Sequence, residues 1–361
     1  MLAHQSLTEL FQQIVDIESV SRNETRLADE VERTLAGFEH LHIVRDGDAV
    51  VARTALGRRE RVLIAGHLDT VPVVGNLPSR LADTDQGQML VGRGSVDMKG
   101  GVAVMVHLAA RLANPGRDIT WVFYDCEEIE ETANGLGRLL VNHPELFTGI
   151  TLGVLMEPTA TLIEGGCQGT LRFTITTKGL AAHSARSWLG RNAIHELARV
   201  IERVEAFEAR QVNVDGLEYR EGLNATMVSG GLAPNVIPDS ATVQINYRFA
   251  PDKTLDEAVM AMTEWFDGWE LIFVDRSPAA RPGLDRKAAA EFVAAVGGTP
   301  RAKYGWTDVA RLAAAGIPAV NYGPGDPGKA HQADEACPIA EVEACTTGLM
   351  QWLGGASGQE A

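Results

Sequence analysis

His67 and Asp69 stand one residue apart in Gly66-His67-Leu68-Asp69-Thr70, directly after an apolar run at 62–65. Glu127 and Glu128 follow a second apolar run at 119–124, and Glu157 follows a third at 152–156. His331 comes shortly after a fourth, at 319–322. Asp97 lies in the glycine-rich turn Gly92-Arg93-Gly94-Ser95-Val96-Asp97. Two imidazoles with several carboxylates form a nitrogen and oxygen donor set suited to zinc. A carboxylate beside such a ligand, yet not one itself, is a candidate general base. Any one of these residues alone carries little: a lone histidine is usually structural, and Glu127-Glu128 alone reads as a solvated acidic pair, as nearby Glu130 and Glu131 do. The weight comes from recurrence, because four strand ends each deliver His, Asp or Glu to the place where open α/β sheets form their sites.

The glycine-rich turn has a rival reading, since Gly92-x-Gly94 begins like a dinucleotide fingerprint. An acid stands where the third glycine belongs, and a carboxylate there repels a pyrophosphate. Nucleotide binding is therefore set aside.

The elements that must position these residues follow from hydrophobic period. Ser6-Leu7-Thr8-Glu9 is a capping-box sequence, with Leu7, Leu10, Phe11, Ile14 and Val15 on one helical face. Residues 61–66, 119–124 and 152–156 read as buried strands, and 101–113 as a helix closed by Asn114-Pro115-Gly116. This alternation predicts an α/β sheet covered by helices. After Gly165-Gly166 the pattern changes: residues 171–177 alternate with period two, as a half-exposed antiparallel strand does. An amphipathic helix follows, carrying Ile194, Leu197, Val200, Ile201 and Val204, then alternating strands at 225–230 and 241–249. The α/β pattern returns from about Ala279. The expected architecture is a mixed-sheet catalytic α/β domain, 1–168 and 280–361, split by an inserted α+β domain of ferredoxin-like type at 169–279.

Composition narrows the class. The chain has 361 residues, 45% hydrophobic and 22% charged, with a formal net charge of −16. An acidic balance disfavours nucleic acid, which selects a basic face. No apolar run reaches the roughly 18–20 residues that cross a bilayer, so no membrane partner is expected. Cys126, Cys167, Cys337 and Cys345 form no C-x-x-C pair and read as free thiols in a reducing compartment. The first residues show no basic and then apolar leader, and the expected location is cytoplasmic.

Taken together, the segments Gly66-His67-Leu68-Asp69-Thr70-Val71-Pro72, GRGSVDMKGG at 92–101, Asp125 to Glu128, Met156-Glu157-Pro158 and His331 resemble the two-zinc aminoacylase, carboxypeptidase and desuccinylase family of metallopeptidase-like hydrolases. The resemblance spans essentially the whole chain. It implies two zinc ions per subunit, the second site also accepting cobalt or manganese. His67 and Glu157 would bind one ion, Glu128 and His331 the other, and Asp97 would bridge them. It further implies that Asp69 orients His67, that Glu127 is the general base, and that the enzyme is a homodimer acting on a small acylated amino acid. Lys178-Gly179-Leu180-Ala181-Ala182-His183-Ser184 matches the segment whose histidine crosses to the partner subunit and steadies the oxyanion, here His183. Asn235 and Arg248 take substrate-contact positions by the same resemblance.

Cys167-Gln168-Gly169-Thr170, the stretch 182–190 and Lys303-Tyr304-Gly305-Trp306-Thr307-Asp308 are similar to the actinobacterial branch of succinyl-diaminopimelate desuccinylases. That likeness implies hydrolysis of N-succinyl-LL-2,6-diaminopimelate to succinate and LL-diaminopimelate, in the route to lysine and diaminopimelate. Another branch places two arginines where Cys167 and Gln168 stand, and Thr where Trp306 stands. Basic contacts to substrate carboxylates then fall to Arg186 or Arg248, since a guanidinium grips a carboxylate through two hydrogen bonds. The same zinc site also suits acetylornithine deacetylases, aminoacylases and dipeptidases. A metal-free binding protein would have lost a ligand, and all five metal positions are present.

Overall fold

A computed structural model describes residues 5–85 and 87–354. The chain divides into two compact units: residues 1–165, 282–301 and 311–361 form the first, and 166–281 with 302–310 the second. The sequence reading places the whole of 280–361 in the catalytic part, whereas residues 302–310 group with the inserted unit.

The first unit is built on a mixed eight-stranded sheet. In spatial order its strands are His42–Asp46, Ala49–Arg53, Asp118–Tyr124, Arg61–His67, Ile150–Leu155, Ala319–Asn321, Glu164–Gly165 and Arg301–Ala302. The four strands that end at expected site residues are mutually parallel neighbours at the centre. Their side chains are almost continuously apolar, as strands buried on both faces require; every residue of Asp118–Tyr124 is buried. Antiparallel strands and short pieces close the sheet's edges.

Helix Lys99–Arg111 is buried on nearly all sides, from Lys99 through Val106 without a break. A helix apolar all round belongs inside a core, and this one packs among Leu10, Phe11, Ile14 and Trp352 in the main apolar cluster. Each such fully buried Leu, Val or Phe contributes roughly 1.5–3 kcal/mol. Gly101 permits its close approach to the sheet, since a Cβ there would lie 2.5 Å from the main-chain oxygen of Met156. Helix Leu7–Asp16 starts with the expected capping box between Ser6 and Glu9.

The inserted unit carries an antiparallel four-stranded sheet in the order Gly222–Gly230, Ser240–Phe249, Gly169–Lys178, Leu271–Ser277. Helices Ala193–Glu205 and Leu255–Trp265 supply its apolar layer through Leu197, Val200, Ala258 and Met262. This is the β-α-β-β-α-β order of ferredoxin-like folds. Among the described residues, no helix is long and apolar enough to cross a membrane.

Candidate metal centre

Parallel register sets the site's floor. Ala65 pairs with Leu155, so two residues on from each the adjacent strands deliver His67 and Glu157 side by side. His67 also ends the pairing with the next strand, opposite Tyr124, beyond which come Glu127 and Glu128. His67 is buried and Glu157 is 6% exposed.

The Asp97 carboxylate is divided between the two histidines. Its Oδ1 lies 3.1 Å from His67 Nε2 and its Oδ2 lies 3.4 Å from His331 Nε2. His331 Nε2 also sits 2.9 Å from Glu128 Oε1. Donor atoms of His67, Asp97 and Glu128 lie within 4.8 Å of one another. Burial alone would raise the Asp97 pKa, but hydrogen bonds from His331 and His67 outweigh it and hold the carboxyl well below its usual range. Hydrogen bonds to Asp97 and Glu128 push His331 up to about 10. Burial opposes protonation of His67, yet Asp69 and Asp97 carry its pKa well above the ordinary value. A cluster that draws protons onto both imidazoles is one in which positive charge is strongly favoured, and metal binding exchanges those protons for cations.

The loops holding these side chains are fixed from behind. His67 Nδ1 contacts the Asp69 carbonyl oxygen at 3.0 Å and Asp69 Oδ1 at 3.5 Å. A hydrogen on Nδ1 leaves the Nε2 lone pair for the centre. Asp69 accepts the backbone N–H groups of Glu127 at 2.9 Å and Glu128 at 3.0 Å, and the Ser21 hydroxyl at 2.7 Å. One carboxylate therefore sets both the histidine and the acidic pair. Cys126 just before that pair has φ +57° and His331 has φ +65°, backbone states that non-glycine residues adopt at a cost and that concentrate at functional sites. Buried Glu24 accepts the Cys126 N–H at 3.0 Å, and desolvation raises its carboxyl pKa.

Peptidase family M20/M25/M40 matches residues 63–354, most of the chain and every strand end just described. The chain belongs to this family. Among its relatives, the succinyl-diaminopimelate desuccinylase of Corynebacterium glutamicum is 45% identical over 355 residues, covering 95% of each chain. DapE of Mycobacterium tuberculosis, which carries the same enzyme name provisionally, is 54% identical over 353 residues, covering 96% of this chain and 98% of that one. Two solved M20-type structures share the fold: a tripeptidase of Staphylococcus aureus (TM-score 0.78, 19% identity, 96% and 97% covered) and a dinuclear metal-binding peptidase of Bacillus subtilis (TM-score 0.69, 18% identity, 96% of both).

The other expected site residues lie in the inserted unit and are described within it. His183 pairs with Val236 across a short two-stranded ladder, and the Asn235 carbonyl accepts the Ser184 N–H at 2.9 Å. The structure thus joins His183 and Asn235 in one exposed segment, with Arg186 exposed three residues on. His183 Nδ1 accepts from Ala185 N at 3.1 Å, so in the neutral ring Nε2 carries the hydrogen. Arg248 stands one residue before the end of strand Ser240–Phe249, with its Nε donating to Asn246 Oδ1 at 3.2 Å, and burial lowers its pKa. Cys167 and Gln168 are buried, the Gln168 amide donating to the Arg220 carbonyl at 2.7 Å.

Sequence reasoning did not single out Glu24, Arg93 and Glu335, which lie close to the candidate centre. All three are buried, and their side chains accept from or donate to backbone groups of Cys126, Gln332 and Val96. Arg93 lies inside the GRGSVDMKGG motif and Glu335 four residues after His331; position near a ligand was the available signal.

Proposed function

We propose that this protein hydrolyses N-succinyl-LL-2,6-diaminopimelate to succinate and LL-diaminopimelate, for lysine and diaminopimelate synthesis, at a centre holding two zinc ions. The observation that carries the reading is the Asp97 carboxylate, with one oxygen towards each histidine and Glu128 beside the second. That is the donor arrangement a bridging ligand requires, and an all nitrogen and oxygen set suits zinc. His67 and Glu157 would hold one ion, Glu128 and His331 the other. Near-full-length identity of 54% and 45% to the two desuccinylases supports the succinyl substrate.

Zinc in such a pair polarises the amide carbonyl and lowers the pKa of bound water towards ~7. The chain's residues do the rest. Glu127, its backbone pinned by Asp69, takes the proton of the attacking water and returns it to the leaving amine. Asp69 keeps His67 in the tautomer that presents Nε2. His183 Nε2–H offers a hydrogen bond to the oxyanion that develops on the amide oxygen. Arg248, Arg186 and Asn235 supply polar contacts for substrate carboxylates, because buried Cys167 and Gln168 bring no charge.

A homodimer in which His183 serves the partner's centre has support in the edge strand Gly222–Gly230. Met227 and Val228 on it are 65% and 61% exposed, and Leu232 just after it is 93% exposed, an apolar open edge of the kind that pairs with another chain. All four cysteines are free and buried, which favours the cytoplasm. The test is metal analysis of protein stripped with chelator and refilled. Two zinc per chain with succinate release restored in parallel supports the reading; activity that survives stripping contradicts it.

A further inference from the structure

An ion pair that the chemistry above does not use lies beneath the metal centre. The side chains of Arg93 and Glu335 are 2% and 1% exposed and meet at 2.8 Å. Glu335 Oε1 accepts the backbone N–H of Val96 at 2.9 Å and of Asp97 at 3.1 Å. Arg93 Nη1 also donates to the Gln332 carbonyl at 3.2 Å, and Arg93 Nε to the Pro72 carbonyl at 3.2 Å. The main-chain oxygen of Glu335 accepts the Gly92 N–H at 3.0 Å. One side-chain pair therefore ties together the segment leading out of His67 and Asp69, the turn carrying Asp97, and the loop carrying His331.

A buried ion pair is a poor device for stability alone. Removing two charges from water offsets most of their attraction, and apolar replacements often match or exceed it. Here, however, both side chains also end on backbone close to the expected ligands, Arg93 through Nε and Nη1 and Glu335 through Oε1. Asp97 and His331 both sit in irregular chain, with no ladder or helix to fix them, and His331 is in a left-handed conformation besides. We propose that Arg93 and Glu335 are positioning residues that lock the Asp97 and His331 loops at the separation two-metal binding needs. This inference rests on the two-zinc reading of the centre. Partners behind metal ligands typically govern metal affinity or activity by ~10–100-fold.

Two variants test it. Glu335→Gln keeps volume and an acceptor oxygen but removes the charge, whereas Arg93→Lys keeps the charge but loses the planar fork that reaches Gln332 and Pro72. Each is compared with unmodified protein by circular-dichroism melting after chelator treatment, by zinc competition against a chromophoric chelator, and by kcat and KM over a range of free zinc. The expected result is cooperative melting of the metal-free variants, zinc affinity at the Glu128 and His331 site lowered ~10–100-fold, and kcat recovered at high zinc with KM unchanged. Wild-type zinc affinity in folded variants overturns the inference, and so does failure of both to fold without metal, because the pair would then be holding the core. No zinc uptake by the unmodified protein overturns the two-metal reading and this inference with it. Normal uptake by both variants overturns this inference alone.

Discussion

Replacing Asp69 by Asn removes one oxygen from a carboxylate that is fully engaged. Oδ1 accepts the Glu127 N–H and faces His67 Nδ1, while Oδ2 accepts the Glu128 N–H and the Ser21 hydroxyl. The Asn amide has one acceptor oxygen, so whichever way it is turned its NH2 faces a backbone N–H. At a residue with no exposure, an unmade buried hydrogen bond costs about 1–3 kcal/mol. The same rotation disturbs either the general base or the Glu128 ligand, and it weakens the hold on the His67 tautomer. We expect the metal-free variant to lose about 1–3 kcal/mol of stability in urea unfolding and zinc affinity to fall ~10–100-fold. At saturating zinc, kcat should fall more than KM rises, because the perturbed groups act on the reaction rather than on substrate carboxylates. Unchanged zinc affinity and turnover in Asp69→Asn would refute the reasoning. Lost stability with neither effect would leave Asp69 a structural residue only.

Glu127→Gln should keep both zinc ions and lose ~10²–10⁴ in kcat, seen by metal analysis beside steady-state kinetics; substantial turnover would remove Glu127 from the proton transfer. His183→Ala should lower kcat ~10²–10³-fold with zinc content unchanged, and mixed dimers with a Glu127→Gln subunit should recover one working centre if His183 serves the partner. Buried Asp118, far from the centre in sequence role, tests the fold. Burial would raise its pKa, but the N–H groups of Leu56 and Arg58 and the Thr54 hydroxyl hold it below the ordinary value. A depressed carboxylate contributes stability that is present above the unfolded pKa near ~3.9 and is lost as pH falls through the folded value. Asp118→Asn should therefore be about 1–3 kcal/mol less stable at pH 7, with the gap to the unmodified protein closing below roughly pH 4, measured by urea titrations at several pH values.

The central sheet was legible because its strands are apolar runs, and the ends of two of them carry His67 and Glu128 to the donor group that Asp97, from a turn, completes. The second half of the inserted unit was harder to read. Strand Leu271–Ser277 lies at a sheet edge with Ile272 and Val274 54% and 55% exposed, so its apolar run LIFV shows no period-two signal. Residues 302–310 pack with the inserted unit through contacts no local pattern announces. Glu335 looks like a solvated acid in Gln332-Ala333-Asp334-Glu335; its burial is decided by Arg93, 242 positions away. Spacing along the chain found the residues at strand ends. It could not find those whose role depends on a partner from another loop.

Steady-state cleavage of N-succinyl-LL-diaminopimelate beside N-acetylornithine, by protein stripped with chelator and refilled with zinc, bears most directly on what this protein does. The account predicts zinc-restored release of succinate and little or no release of acetate. Zinc-restored cleavage of the acetyl compound alone would contradict the substrate, and cleavage of neither would contradict the activity.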